Sequence, residues 1–347
     1  MARIEDVARA AGVSTATVSR AMRGLPNVSE ATRLTVSRVA AELGYVVSRS
    51  ASTLASGRTR TVAVVAPFME RWFFAQVIGA VEAVLRAQNF DALLIGLTQP
   101  TDGKREQFEP DSLRGRADAV VVLTLPLTGH ELDEVRRLAL PTVYVGSSVP
   151  GAMSVRIDDV AAARLATDHL LQLGHTKIAY VGGEPEQRLN FTAPADRRAG
   201  WMASLAAAGV EACAAYQVPG QFTAAGGLDA GRALLALKDP PTAVFAASDE
   251  MAFGVLAAAR EAGVLVPDQL SVIGIDGHEL SELFGLSTVE QPVARQGALA
   301  AELALAALGG DPSHLHDHIV VDVRLVPRMS TGPAPRTRGR RTAVTRS

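Results

Sequence analysis

At 347 residues, with 48% hydrophobic and 20% charged side chains, the chain is too long for one small core and too apolar to stay unfolded, so two or three globular domains are expected. No run nears the ~18 apolar residues of a membrane span, and the opening MARIEDVARAAG lacks the apolar core of a secretion signal, which points to the cytoplasm. The single cysteine, Cys213, excludes an internal disulfide. The net charge of −2 hides an asymmetry: residues 1–60 hold nine Arg against four acids (+5), residues 328–347 hold six Arg and no acid, and −13 remains between them. Basic ends on an acidic body put contact with a polyanion at the ends. The Pro-, Gly- and Arg-rich tail PAPRTRGRRTAVTRS also fits a merely solvated, disordered segment.

Three short helical patterns fill the first 45 residues. IEDVARAA sets Ile4, Val7, Ala8 and Ala11 on one face. STATVSRAM starts at Ser14, a suitable N-cap, and SEATRLTVSRVAAELG starts at Ser29, carries apolar Leu34, Val36, Val39, Ala40 and Leu43, and stops at Gly44. Residues 46–60, VVSRSASTLASGRTR, read as a linker, yet Ala51, Leu54 and Ala55 keep helical spacing over a length that seldom holds a helix alone. From Thr61 the texture changes to Val-rich strands, TVAVVAP, DALLIG, DAVVVL, TVYVG, KIAYVGG, AYQV, TAVFAAS and LSVIGID, alternating with helices such as 73–88, 159–173, 196–208 and 249–262. Such alternation predicts parallel sheets covered by helices, as one large sheet or two stacks of about four strands parted near Arg156 to Asp159.

The stretch AGVSTATVSRAM packs four hydroxyls around one arginine with little apolar bulk. Two helices crossing closely need a small residue at the contact, a turn residue tolerant of positive φ and an apolar seal, and Ala8, Gly12 and Val18 supply these in order. A second helix entering a nucleic-acid groove needs short donors for phosphates, met by Ser14, Thr17 and Ser19. It also needs groups for base edges, met by Thr15, Ala16 and Arg20. The same helix is open to a plain solvent-facing reading.

IEDVARAAGVSTATVSRAMRGLPNVSEATRLTVSRVAAELGYV closely resembles the DNA-binding head of the lactose and galactose repressor (LacI/GalR) family, and LASGRT resembles the end of its hinge helix. Downstream, VRIDDVAAARLATDHLLQLGHTKIAYVGG, DRRAGW, TAVFAASDEMAFGVLAAAREAGVLVPDQLSVIGID and LSTVEQP stand in the family's order, so the resemblance spans about 330 residues. It implies an all-α helix-turn-helix head at 1–45, a hinge helix or linker at 46–60 and an α/β periplasmic-binding-protein-like body at 61–330. That body would have two subdomains with parallel sheets, one about 61–158 and 292–321, the other about 159–291 and 322–330, crossing near Asp158, Gln291 and Asp322; the basic tail at 331–347 lies outside the resemblance and is expected from its composition to be disordered.

It further implies a transcriptional regulator, expected to be a repressor, that binds pseudo-palindromic double-stranded operator DNA as a homodimer under control of a small-molecule effector, expected to be a sugar. Ser29 joins the DNA-facing residues, and Leu54 is the hinge side chain that wedges into the minor groove. Phe73, Phe74, Arg197, Phe222, Asp249 and Asp276 are the implied effector contacts, with carboxylates and arginine for hydroxyls and rings for apolar sugar faces. Asp249 equally suits a helix cap, Phe73 and Phe74 equally suit a core, and Trp72 is a further stacking candidate. The chain departs from the family's pattern at Arg3, where a hydroxyl cap is usual, at Val47-Ser48 for the usual Pro-Asn, at Gly277, and in LFGLSTV, which lacks a proline.

Enzyme readings find no motif. Neither GxGxxG, GxxxxGK[ST] nor GxSxG occurs, and His169 and His175 stand six apart without a third ligand, so neither catalysis, a cofactor nor a metal is expected. A solute-binding protein with a repurposed helical head is the competing class.

Overall fold

The computed structural model describes residues 2–22, 24–45, 58–97, 108–125, 127–147, 149, 151–183, 192–310 and 317–335. The linker expectation at 46–57, Leu54 included, and residues 336–347 of the tail lie outside the described residues. The chain forms two compact units, residues 1–60 and residues 61–347.

The head holds α1 (Ile4–Ala11), α2 (Thr15–Met22) and α3 (Glu30–Glu42). Arg3 brings no cap oxygen to α1, and the Arg3 amide instead donates to the Asp6 carboxylate at 3.0 Å, the reverse half of a capping box. Gly12 closes α1 at φ 65°, a conformation that strains any side chain with a Cβ. Ser14 caps α2 by accepting the Thr17 amide at 3.1 Å, and Ser29 caps α3 by accepting the Thr32 amide at 3.2 Å. Val7, Ala8, Val18, Ala21, Val36, Val39 and Ala40 form the core. Leu34 and Leu43 do not join it, being 67% and 42% exposed. The head is too small to bury every apolar position of its longest helix, and the Arg33 guanidinium, donating to the Ala21 and Leu25 carbonyls at 3.3 and 3.2 Å, ties α3 to the end of α2.

The body begins with β1 (Thr61–Ala66), α4 (Trp72–Ala87), β2 (Asp91–Gly96), β3 (Ala119–Leu123), α5 (Gly129–Leu138), β4 (Thr142–Val145) and β5 (Met153–Arg156). It continues through α6 (Asp159–Gln172), β6 (Ile178–Gly182), α7 (Thr192–Ala207), β7 (Gln217–Pro219), α8 (Ala224–Leu235), β8 (Ala243–Ala246), α9 (Asp249–Glu261) and β9 (Ser271–Asp276). It ends with α10 (Leu280–Leu283), β10 (Ser287–Glu290), α11 (Val293–Leu308), β11 (His318–Val320) and β12 (Arg324–Val326). Two six-stranded sheets result, in the orders β11-β5-β4-β3-β1-β2 and β12-β10-β9-β8-β6-β7. Pairing is parallel throughout except between β10 and β12. The inner strands β3, β4, β6, β8 and β9 are buried along their whole length, which is why they read as unbroken apolar runs.

Each sheet has six strands, where about four are expected from sequence. β5, β10, β11 and β12 are three or four residues long, too short to show a period, and they flank the points where the chain passes between the sheets, near 157–158, 291–292 and 321–323. α11 returns to the first sheet and packs on α4 so closely that a Cβ on Gly297 would sit 2.5 Å from the Val77 carbonyl oxygen. The disordered tail expected from 331 is corrected for its first five residues. The Gly332 amide donates to Ser271 Oγ at 3.0 Å, His169 Nε2 lies 2.9 Å from Thr331 Oγ1, and the Ala334 amide donates to the Leu173 carbonyl at 2.9 Å. These bonds hold residues 331–335 on the second lobe.

Candidate ligand cleft and nucleic-acid interface

Between the two sheets of the body lies a cavity of about 100 Å³, partly open to solvent. Its walls come from carboxyl ends of strands, the place where open α/β sheets gather ligands. The first lobe contributes Phe68, Arg71, Phe73, Phe74 and Thr124, and the second contributes Asp159, Arg197, Phe222, Ser248, Glu250 and Asp276. Gln291, on a crossover, and Gln296, on α11, close the back.

One polar chain spans the cavity. Arg197, 6% exposed on α7, donates through Nε to Asp159 Oδ1 at 2.7 Å and through a terminal nitrogen to the Ala247 carbonyl, with Asp276 Oδ1 3.9 Å away. Asp276 accepts from Gln291 Nε2 at 2.6 Å, and Gln291 Oε1 accepts from Gln296 Nε2 at 2.9 Å. Side chains anchored in both lobes are thereby linked through one carboxylate. Burial, reinforced by the charge of Asp249, pushes the Asp276 carboxyl up to about 7 against the pull of Arg197. Burial alone would lower the Arg197 pKa, but the two carboxylates beside it raise it, so this guanidinium stays charged.

Of the effector contacts expected from sequence, Phe73, Phe74, Arg197, Phe222 and Asp276 line the cavity and Asp249 does not. Asp249 is fully buried behind the wall, accepting from the His278 amide at 2.9 Å, Ser281 Oγ at 2.8 Å and Thr288 Oγ1 at 2.7 Å. Nor is it the cap of α9, since Ser248 takes that place by accepting the Met251 amide at 3.2 Å. Trp72 also leaves the cavity: its ring stacks on His278 with centroids 4.6 Å apart, and its Nε1 donates to Glu279. Arg71, Thr124, Glu250, Gln291 and Gln296 escape the sequence reading. Thr124 directly follows a predicted strand, so strand-end position alone could have found it.

In the head, Ser14, Thr15, Ala16 and Arg20 are exposed, Thr17 and Ser19 are half-buried, and Val18 and Ala21 face the core. No acid sits in the first turn of α2. Two of the hydroxyls expected to face phosphate are partly engaged with each other, Ser14 Oγ lying 2.9 Å from Thr17 Oγ1. Arg20 donates one nitrogen to the Pro26 carbonyl at 2.8 Å, which leaves other donors of its fork to the outside. Ser29 is exposed at the start of α3.

Residues 3–48 match the domain family described as bacterial regulatory proteins, lacI family, and residues 167–331 match the periplasmic binding protein-like domain. Catabolite control protein A of Priestia megaterium is 34% identical over 304 residues, covering 86% of this chain and 90% of that protein. The chain belongs to the lacI family. The HTH-type transcriptional regulator GalR of Escherichia coli K12 is 34% identical over 317 residues, covering 90% of this chain and 91% of GalR. Among solved structures, the lac repressor dimer bound to operator and an anti-inducer aligns with a TM-score of 0.83 at 25% identity, over 95% of this chain and 99% of that one. The CelR–cellobiose complex aligns at 0.68 and 30% identity, over 95% of this chain and 100% of that one. These lacI-family relatives are transcriptional regulators rather than enzymes, and this chain is a DNA-binding transcriptional regulator. Among the described residues no helix is long and apolar enough to cross a membrane, and no acidic, His or Cys cluster could hold a metal ion.

Asp276 gives this lacI-family body a pH signature. Its carboxyl titrates near 7 when folded and near ~4 when unfolded. The folded chain therefore holds the extra proton between those values, so the contribution of this group to stability is full below about 4 and lost as pH rises through about 7. Asp276→Asn keeps the neutral form at every pH. The melting temperature of the variant minus that of the parent should grow by several degrees from pH 5 to pH 8 in a thermal-shift series, and a pH-independent difference would contradict the burial argument.

Proposed function

We propose that the chain is a repressor that reads a pseudo-palindromic operator as a homodimer, one α2 per half-site, and that a small sugar in the cleft switches its affinity. The observation that carries this reading is the Gln296–Gln291–Asp276–Arg197–Asp159 chain lining a cavity with walls from both lobes. A polyhydroxy ligand bonded there touches both lobes at once, so its binding energy differs between open and closed arrangements, which is the condition for a ligand to shift a conformational equilibrium. Operator binding must then change effector affinity by the same factor. A second copy would cover the exposed apolar side chains Leu280, Leu283, Phe284 and Met329. The lac repressor, whose structure is a dimer bound to operator and an anti-inducer, supports the operator and homodimer parts of the proposal.

A thermal-shift screen of mono- and disaccharides, nucleosides and bases tests the effector, because a ligand that binds only the folded state raises its midpoint. No response to any sugar, or a response to nucleosides or bases alone, would sink the sugar reading. Selection from a random duplex pool tests the operator. Arg20→Ala should relax selection at one base pair of each half-site and weaken the preferred duplex by about 1–3 kcal/mol, measured by anisotropy at fixed salt. A uniform loss over all sequences would make Arg20 a phosphate contact instead.

A further inference from the structure

The cavity wall holds two opposed charges that its central network does not use. Arg71, the residue before α4, lies in the first lobe with its guanidinium carbon 3.6 Å above the centre of the Phe68 ring. Glu250, in the first turn of α9, faces it from the second lobe. Burial drives both groups toward their neutral forms, and the opposing charge that favours ionisation is Arg71 for Glu250, and Glu250 ahead of the exposed Glu70 for Arg71. Among the described residues neither side chain closes an ion pair, so each retains hydrogen-bonding capacity toward the space between the lobes. Thr124 Oγ1, just after β3, is buried in the same wall without a partner among the described residues. A buried hydroxyl left unpaired is unfavourable unless something completes it.

The sign of the wall decides what that something is. Among the described residues its cations are Arg71 and Arg197, and its anions are Asp159, Glu250 and Asp276. Arg197 is already shared between Asp159 and Asp276, which leaves Arg71 facing Glu250 as the uncommitted pair among the described residues. An anionic ligand reaching for Arg71 brings its charge against Glu250 and the carboxylates behind it, in a place where water screens poorly. A neutral ligand rich in hydroxyls meets no such repulsion, since it can accept from Arg71, donate to Glu250 and bond Thr124 in either sense. Phe73 and Phe222 add apolar surface to the same wall.

We infer that Arg71 and Glu250 are specificity-determining residues that hold the hydroxyls of an uncharged sugar from opposite lobes, and that Glu250 turns away phosphorylated and acidic sugars. The inference rests on the effector reading above and narrows it.

Isothermal titration of the full chain with matched sets tests it: glucose, glucose 6-phosphate and glucuronate; galactose, galactose 6-phosphate and galacturonate; ribose and ribose 5-phosphate; and cellobiose as a neutral disaccharide. The neutral member of a responding set should bind at least ~10-fold more tightly than its acidic partners. Arg71→Met should weaken that neutral ligand roughly 10-fold or more, with Arg71→Lys recovering part of the loss. Glu250→Gln, close in shape, should narrow the neutral-to-acid ratio by at least ~3-fold. Acids binding as tightly as the neutral sugar, an unchanged ratio in Glu250→Gln, or undiminished affinity in Arg71→Met would each overturn the charge argument and leave a sugar effector standing. Silence from every sugar, neutral and acidic alike, overturns the sugar reading and this inference with it.

Discussion

Arg197→Met should lower stability by about 3–5 kcal/mol, the range for removing one partner of a buried ion pair. The guanidinium holds Asp159 directly, stands 3.9 Å from Asp276 and satisfies the Ala247 carbonyl, all in surroundings that exclude water. Methionine fills much of the same volume but strands the Asp159 carboxylate and the Ala247 carbonyl, and without the guanidinium the Asp276 carboxyl rises further toward its protonated form. At roughly 2–4 °C per kcal/mol for a body of this size, the melting midpoint should fall by about 10 °C, with all response to the effector lost. Adding Asp276→Asn keeps that position neutral at every pH, so the double variant should melt above the single one at alkaline pH, a non-additivity expected only of groups in one network. A single variant melting within a degree or two of the parent would mean that Arg197 is solvated and that the cavity wall is arranged differently.

The head is legible in the sequence because its determinants are local. Gly12 must sit at positive φ, Ala8 must be small and Val18 must be apolar, and all three lie within eleven residues of one another. The long inner strands are legible for a related reason: burial on both faces writes them as unbroken Val, Ile and Ala. The reading falters where meaning comes from distant parts of the chain. Asp249 carries the residue type and strand-end position of a ligand contact, yet Ser281 and Thr288, 32 and 39 residues away, converge on it and make it an internal tie. Arg71 and Glu250 belong to unremarkable local contexts, and their relation exists only because two separately folded lobes face each other. Nor do four hydroxyls within six residues announce that Ser14 and Thr17 will bond each other. Composition supplies the chemistry available to a site, while long-range pairing decides which groups remain free to use it.

The second large effect is expected at Leu283 and Phe284. They are 77% and 58% exposed in one subunit, and Met329, 79% exposed, packs beside Gly285 to extend the same face. Both side chains are largely exposed, and Phe284 approaches Phe253 with ring centroids 5.4 Å apart, so replacing both with aspartate should leave the subunit folded. Two aspartates per subunit would meet their symmetry mates across an isologous contact, adding like-charge repulsion to the loss of apolar burial. The double variant should sediment as a monomer. Its operator affinity should fall by roughly 10²–10⁴-fold, the gain that linking two weak binding modules supplies, with the single-head contacts left intact.

The same loop begins at His278 and Glu279, which Trp72 grips from the first lobe. Covering the patch therefore fixes the segment against which the cleft closes, and losing the dimer should also change effector affinity, by the reciprocity that binds the two events. Sedimentation velocity, operator anisotropy at fixed salt and effector titration on one preparation read all three. A variant that stays dimeric would place the subunit contact elsewhere. A monomer that binds operator as tightly as the parent would show that α2 needs no partner to hold its site.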